Sequence, residues 1–214
     1  MKTSTKTKIK SNNKVSITST RGIATISLLG AIALILMLLE IPLWFAPPFY
    51  EIDLSEVPIM IGAFALGPIA GVLTELVKII LNLFITGTDT AFVGELANFV
   101  LGCSFVVPAA MIYKTKKTRK SAYMGLAMGT LVMVMAGCFI NAYILLPFYS
   151  KTMLPMDRII GMGNEVNSRI NDMKSFIIFA VAPFNLIKGV LVSLVTSLLY
   201  KKVSFLIKDF HIEK

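Results

Sequence analysis

Apolar residues gather in six runs separated by short polar stretches: Gly22 to Ile41, Leu54 to Gly67, Ile69 to Thr86, Ala91 to Ile112, Ser121 to Tyr149 and Ser175 to Tyr200. A helix rises ~1.5 Å per residue, so crossing ~30 Å of hydrocarbon takes roughly twenty residues. Five of the runs meet that need. The second, Leu54 to Gly67, reaches only ~21 Å, so it must be tilted, thinly covered by lipid or extended by its flanking loop. The weak ten-residue alternation of an outer-membrane barrel is missing. The pattern predicts an all-α integral membrane protein of six transmembrane helices.

Composition agrees: 56% of residues are hydrophobic, 15% are charged and the mean hydropathy is +0.77, all outside the soluble range. Charge then orients the chain. Cytoplasmic loops collect Lys and Arg, and of the 21 basic residues most lie in the segment up to Arg21, in Lys114 to Lys120 and from Lys201 onward. Both termini are therefore predicted to be cytoplasmic. The net charge of +9 is read as orientation and contact with anionic lipid, not nucleic acid, because no aromatic residues interleave with the lysines. Residues 1–20 read as a disordered basic arm, 21–204 as the membrane domain and 205–214 as a cytoplasmic tail. No cleavable signal is expected, since the first run ends in Glu40-Ile41-Pro42 without a small-residue cleavage pattern.

Several chemistries find no residues to carry them. Cys103 and Cys138 fall inside spans, and His211 is the single histidine, so a disulfide framework or metal site is not expected. There is no G-x-x-x-x-G-K-[ST] and no nucleophile with a base beside it, so the chain reads neither as a P-loop ATPase nor as an enzyme. No bound cofactor is implied.

What remains is polar chemistry inside the spans, where each charge costs on the order of 2.5–3.5 kcal/mol and is usually functional. Glu75, Lys78 and Asn82 share a face of the third span, Glu95 and Asn98 of the fourth, and Asn185 and Lys188 of the sixth, while Asn141 lies in the fifth. Counting ~1.5 Å per residue from the outer ends places Asn98 about 10 Å deep, Asn141 and Lys78 about 12 Å, Asn185 about 15 Å and Lys188 about 20 Å. They converge on the outer half of the bilayer. Polar groups at one depth, on faces that must avoid lipid, describe a pocket open to the exterior.

Plainer readings stand beside this one. Glu75 and Lys78 could form a structural ion pair, and Glu95 and Asn98 could bond across helices as packing contacts. For Asn185 and Lys188 the preceding Pro183 removes a helix hydrogen bond and frees the carbonyl of Phe179, so an opened turn precedes them. The segment "PLWFAPPFYEIDLSEVP", Pro42 to Pro58, reads as an aromatic belt at the lipid surface or as a lid over the pocket. As a lid, Trp44, Phe45, Phe49 and Tyr50 would supply rings, and Glu51, Asp53 and Glu56 carboxylates to accept from hydroxyls. Ser27-x-x-x-Ala31 places small residues on one face of the first span, suited to close helix approach.

The stretches "YEIDLSEVPIMIGAFALGPIAGVLTELVK" (Tyr50 to Lys78), "GELANFVLG" (Gly94 to Gly102), "NAYILLPFY" (Asn141 to Tyr149) and "PFNLIKGVL" (Pro183 to Leu191) resemble the riboflavin-specific substrate-binding subunits of energy-coupling factor (ECF) transporters. The resemblance runs from about Ile23 to Tyr200. It implies a bacterial plasma-membrane subunit that captures riboflavin from outside and joins a membrane coupling protein and two cytoplasmic ATPases. By matching position it implies that Asn141, Asn185 and Lys188 hold the polar edge of the flavin and Glu95 the ribityl hydroxyls. Asp53, Asn98, Lys78, Trp44, Phe49 and Tyr143 are further candidates for the pocket, and Ser27 and Ala31 for the coupling-protein contact. Another vitamin (pantothenate, or the phosphorylated flavin FMN), an ion-coupled transporter using Glu75, Lys78 and Glu95 as relays, and a scaffold without a ligand are the competing readings.

Overall fold

The computed structural model describes residues 16–209 except 45 and 48, with side chains up to residue 200. Most of the predicted basic arm and the end of the tail lie outside the described residues. Nine α-helices are found among the described residues: α1 Thr20–Met37, α2 Glu56–Leu66, α3 Pro68–Thr86, α4 Val93–Lys116, α5 Arg119–Ile140, α6 Leu146–Thr152, α7 Met156–Val166, α8 Met173–Phe176 and α9 Ala182–Asp209. Two two-residue strands, β1 Ile41–Pro42 and β2 Glu51–Ile52, pair antiparallel with Ile41 opposite Ile52. Apart from that hairpin, the regular structure among the described residues is helical.

Five helical stretches are long and apolar enough to cross a membrane: Thr20–Met37, Pro68–Thr86, Val93–Lys116, Arg119–Thr152 and Met173–Tyr200. The short second run becomes α2, with 11 residues. Its shortness has a packing reason. α3, α4, α5 and α9 pack in succession, and α2 touches α3, α4 and α9, so protein rather than lipid surrounds it. Glu56 through Met60 and Gly62 through Phe64 are buried. α1 lies against α2 and α3 and keeps its other face, with Leu28 and Ile35, bare.

Local chemistry sets the boundaries. The Ser19 hydroxyl accepts from the Gly22 amide at 3.1 Å and starts α1, and Thr118 and Ser121 form a reciprocal cap on α5. Gly67, at φ 106°, turns the chain between α2 and α3 in a conformation that a side chain would strain, and Pro68 follows at the first turn of α3, where its missing N–H costs nothing. A Cβ on Gly125 would stand 2.5 Å from the Ala109 carbonyl oxygen, so that glycine sets how closely α5 meets α4. The central core joins Phe64, Phe105, Tyr113, Leu126, Met133 and Val192. At its end away from the hairpin, the Phe64 and Tyr113 rings sit 4.4 Å apart and the Tyr113 and Tyr200 hydroxyls share a 2.8 Å hydrogen bond.

Two helices widen for one turn. α5 passes into α6 through a π-turn at Asn141–Leu145, and α8 passes into α9 through another at Ile177–Val181. Both precede a proline, Pro147 and Pro183, by two residues. Proline can neither donate to the carbonyl four residues back nor tolerate its approach, and an i+5 turn relieves that crowding. The opened turn expected at Pro183 thus lies just before it, as a helix with one extra residue. The segment between the fifth and sixth apolar runs folds into α7 and leads into α8 over the hairpin end, around Leu146, Ile159, Ile170 and Phe176. α9 runs unbroken to Asp209, past the domain boundary expected at residue 204.

Candidate functional site

The polar residues of α9 meet the hairpin loop. Lys188 Nζ donates to Asp53 Oδ2 at 2.8 Å, and Asp53 Oδ1 accepts from the Ser55 amide at 2.7 Å, a short loop bond that presents the carboxylate to α9. Burial alone would raise the Asp53 carboxyl, but the charges of Lys188 and Lys78 with hydrogen bonds from Lys188 and Ser55 hold it down at about 2. Three residues before Lys188, Asn185 donates from Nδ2 to the Val181 carbonyl at 2.9 Å. A Cβ on Gly137 would lie 2.7 Å from that amide, so the glycine on α5 makes the room Asn185 occupies. Among the described residues no hydrogen bond engages Asn185 Oδ1, an oxygen assigned from this network.

Behind this pair stands a second ionic group. Lys78 is fully buried, and its ammonium contacts Glu75 at 2.6 Å, Glu56 at 3.1 Å, Asn98 Oδ1 at 3.3 Å and Ser55 Oγ at 3.4 Å. The Glu75 contact has ion-pair distance without hydrogen-bond alignment, and Glu56 Oε2 has no hydrogen-bond partner. Gly102 on α4 leaves the space for both carboxylates. With three donors already spread over four acceptors, this lysine braces α2, α3 and α4 together.

In front lies a cavity of about 210 Å³ lined from six elements, including Glu40, Glu51, Asp53, Glu56, Asn98, Asn185 and Lys188, with Phe49, Tyr50, Tyr149 and Phe184 as its rings. A second, largely apolar cavity of about 330 Å³ adjoins it and shares Phe49, Tyr50, Leu145 and Tyr149. Asn141 faces this second cavity. The boundary is Tyr50, whose hydroxyl donates to Asn141 Oδ1 at 2.8 Å while its ring packs 4.7 Å from that of Phe184. Burial pushes the Tyr50 phenol upward, so it stays a donor. At the mouth, Glu40 keeps much of its surface open, yet partial cover, a shared hydrogen bond with Glu51 and the nearby Glu51 and Asp53 charges raise its carboxyl to about 7, against the pull of Lys188.

Asn98, Asn185, Lys188, Asp53 and Phe49 therefore line one cavity, with Lys78 directly behind it and Asn141 across Tyr50. Glu95 accepts from the Thr90 hydroxyl at 2.8 Å and lines neither cavity. Trp44, 90% exposed, and Tyr143, 71% exposed, also line neither; the Tyr143 ring packs on Phe139 instead. Tyr50, Glu51 and Glu56, expected only as parts of a lid, line the site too, and Glu40, Tyr149 and Phe184 join it without having been singled out as ligand contacts. Tyr149 and Phe184 stood inside the quoted motifs, beside residues that were chosen.

Residues 21–200 match the family described as "ECF transporter, substrate-specific component". The chain is 35% identical over 195 residues to the riboflavin transporter RibU of Staphylococcus aureus (strain TCH60), covering 91% of this chain and 96% of that protein. It is 30% identical over 182 residues to the riboflavin transporter FmnP of Bacillus subtilis (strain 168), covering 85% and 90%. A solved structure titled "Structure and mechanism of the S component of a bacterial ECF transporter" superposes with a TM-score of 0.67 at 35% identity, covering 87% of this chain and 96% of that one.

Proposed function

The chain belongs to the substrate-specific components of ECF transporters, and from that premise we propose that its ligand is riboflavin, bound across the two cavities that meet at Tyr50. It is a multi-pass membrane protein of a transporter and not an enzyme. The observation that carries the ligand reading is the shared cavity surface of Asn185, Lys188 and Asn98, in a chain similar along most of its length to proteins named riboflavin transporters. The chemistry is suited to a flavin. An amide offers a donor and an acceptor to an imide-like edge, an ammonium donates to a ring carbonyl, and the apolar neighbour cavity accepts the rest of a flat tricycle.

In this reading α2 is the second of six spans, both termini are cytoplasmic and the hairpin end faces the exterior, so the cavities open toward the vitamin. Residues 21–204 form the binding domain. Ser27, exposed on α1, and half-buried Ala31 lie beside the bare face that would meet a membrane coupling protein, with two ATPases below supplying the energy. Protein purified in detergent from riboflavin-fed cells should carry the flavin absorption bands; colourless protein that takes up no flavin on incubation would remove this reading.

A further inference from the structure

The charge around the cavity bears on which form of the vitamin it takes. Glu40, Glu51, Asp53 and Glu56 line it against Lys188 as the lining cation. That ammonium is already committed to Asp53 at 2.8 Å, and Lys78 behind it is enclosed by Glu56 and Glu75. No arginine is among the lining residues. Glu56, 2% exposed, keeps Oε2 without a hydrogen-bond partner, so even the inner wall shows an acceptor awaiting a donor. Glu40 and Glu51 sit at the mouth, one just before β1 and one opening β2, where Glu51 pairs with Pro42 two residues beyond Glu40.

Phosphate recognition is built differently, from guanidinium forks, lysines and free backbone N–H groups, and a phosphate ester brings nearly two negative charges and acceptor oxygens without donors. A phosphate entering this polar cavity lies close to its lining carboxylates, and each one that is ionised repels it where water is scarce. A neutral polyol brings hydroxyl donors that carboxylates accept.

Resting on the riboflavin reading, we propose that Glu40 and Glu51 are specificity-determining residues that make this subunit select the unphosphorylated vitamin over its 5′-phosphate, FMN. The pair works by opposing the wrong ligand, as specificity often requires. The residues differ from those that grip the ring, and they lie at the hairpin rim rather than in the packed core.

The experiment titrates purified full-length protein with riboflavin and with FMN, following flavin fluorescence quenching, for the wild type and for the Glu40→Gln/Glu51→Gln double variant. The wild type is expected to bind riboflavin at least tenfold more tightly, and the double variant to shrink that ratio at least threefold by gaining affinity for FMN. Equal affinities in the wild type, or an unchanged ratio in the double variant, overturn the proposal while leaving riboflavin binding intact. Binding of neither flavin overturns it together with the reading on which it rests. The single Glu40→Gln and Glu51→Gln variants, titrated alongside, should each shift the ratio in the same direction, and a shift caused by riboflavin loss alone counts against the proposal.

Discussion

Lys188 and Asp53, 135 residues apart in sequence, meet at 2.8 Å and tie the last helix to the loop ahead of α2. The lysine that looked out of place in an apolar helix is thus answered first by a carboxylate of the protein. A ligand carbonyl would be a second acceptor for an ammonium with three donors. Replacing Lys188 with Met should weaken riboflavin binding 10- to 100-fold, about 1.4–2.7 kcal/mol, and also leave Asp53 buried and unpaired. Titration of K188M beside a Lys188→Arg variant checks it: full affinity in K188M would put the ring elsewhere.

The hydrogen bond from Tyr50 to Asn141 occupies the acceptor that a flavin edge would use, and the same side chain separates the two cavities. Ligand pockets usually run about 300–1,000 Å³, and the polar cavity, at about 210 Å³, falls short of that alone. Tyr50 must therefore shift for one ligand to touch Asn141 and Lys188 together. Tyr50→Phe removes the tether and should speed riboflavin association severalfold in stopped-flow quenching. An unchanged association rate would mean that the tether does not hold the site closed.

Lys78 is structural in this account, a brace behind the cavity. Lys78→Met leaves Glu56 and Glu75 buried without their cation, which should cost about 3–5 kcal/mol and lower the unfolding temperature sharply. Paired replacement of Lys78 by Met with Glu75 by Gln should recover part of that loss. No recovery in thermal unfolding of the double variant would place the strain outside the ion pair.

Acid should loosen the hairpin end. Asp53 is lowered to about 2 from an ordinary 3.8, so its contribution to stability is complete above pH 3.8 and is lost as pH falls through about 2. Glu40, raised from 4.5 to about 7, runs the other way: its contribution is complete below pH 4.5 and fades as pH rises through 7. Thermal unfolding between pH 2 and 5 should therefore show a loss on acidification that Asp53→Asn abolishes. An equally steep loss in that variant would assign it to other carboxylates.

How far the sequence reached follows from which forces act locally. Run lengths and the i, i+3 spacing of Glu75 with Lys78 and of Asn185 with Lys188 announce helices and shared faces, because a helix repeats every 3.6 residues. Asp53 sits in a loop, where no periodicity says which way a carboxylate turns, so its partner emerged only once α9 and the hairpin were placed together. Pro183 signalled a disturbed helix but not that the remedy would be an extra residue at Ile177–Val181, a choice made by packing. Trp44 and Tyr143 could not be sorted from Tyr50 and Tyr149 by residue type, since rings serve a lipid surface as well as a cavity wall. Glu95 lies one residue from Gly94, which lines the cavity, but its own carboxylate turns to the hydroxyl of Thr90.

The central claim is that Asn185 and Lys188 hold a flavin, and equilibrium titration of the purified protein with riboflavin tests it most directly. The account predicts saturable binding of one riboflavin per chain, weakened at least tenfold by Asn185→Ala and by Lys188→Ala in protein that remains folded. Saturable binding that both variants retain at wild-type affinity would contradict it.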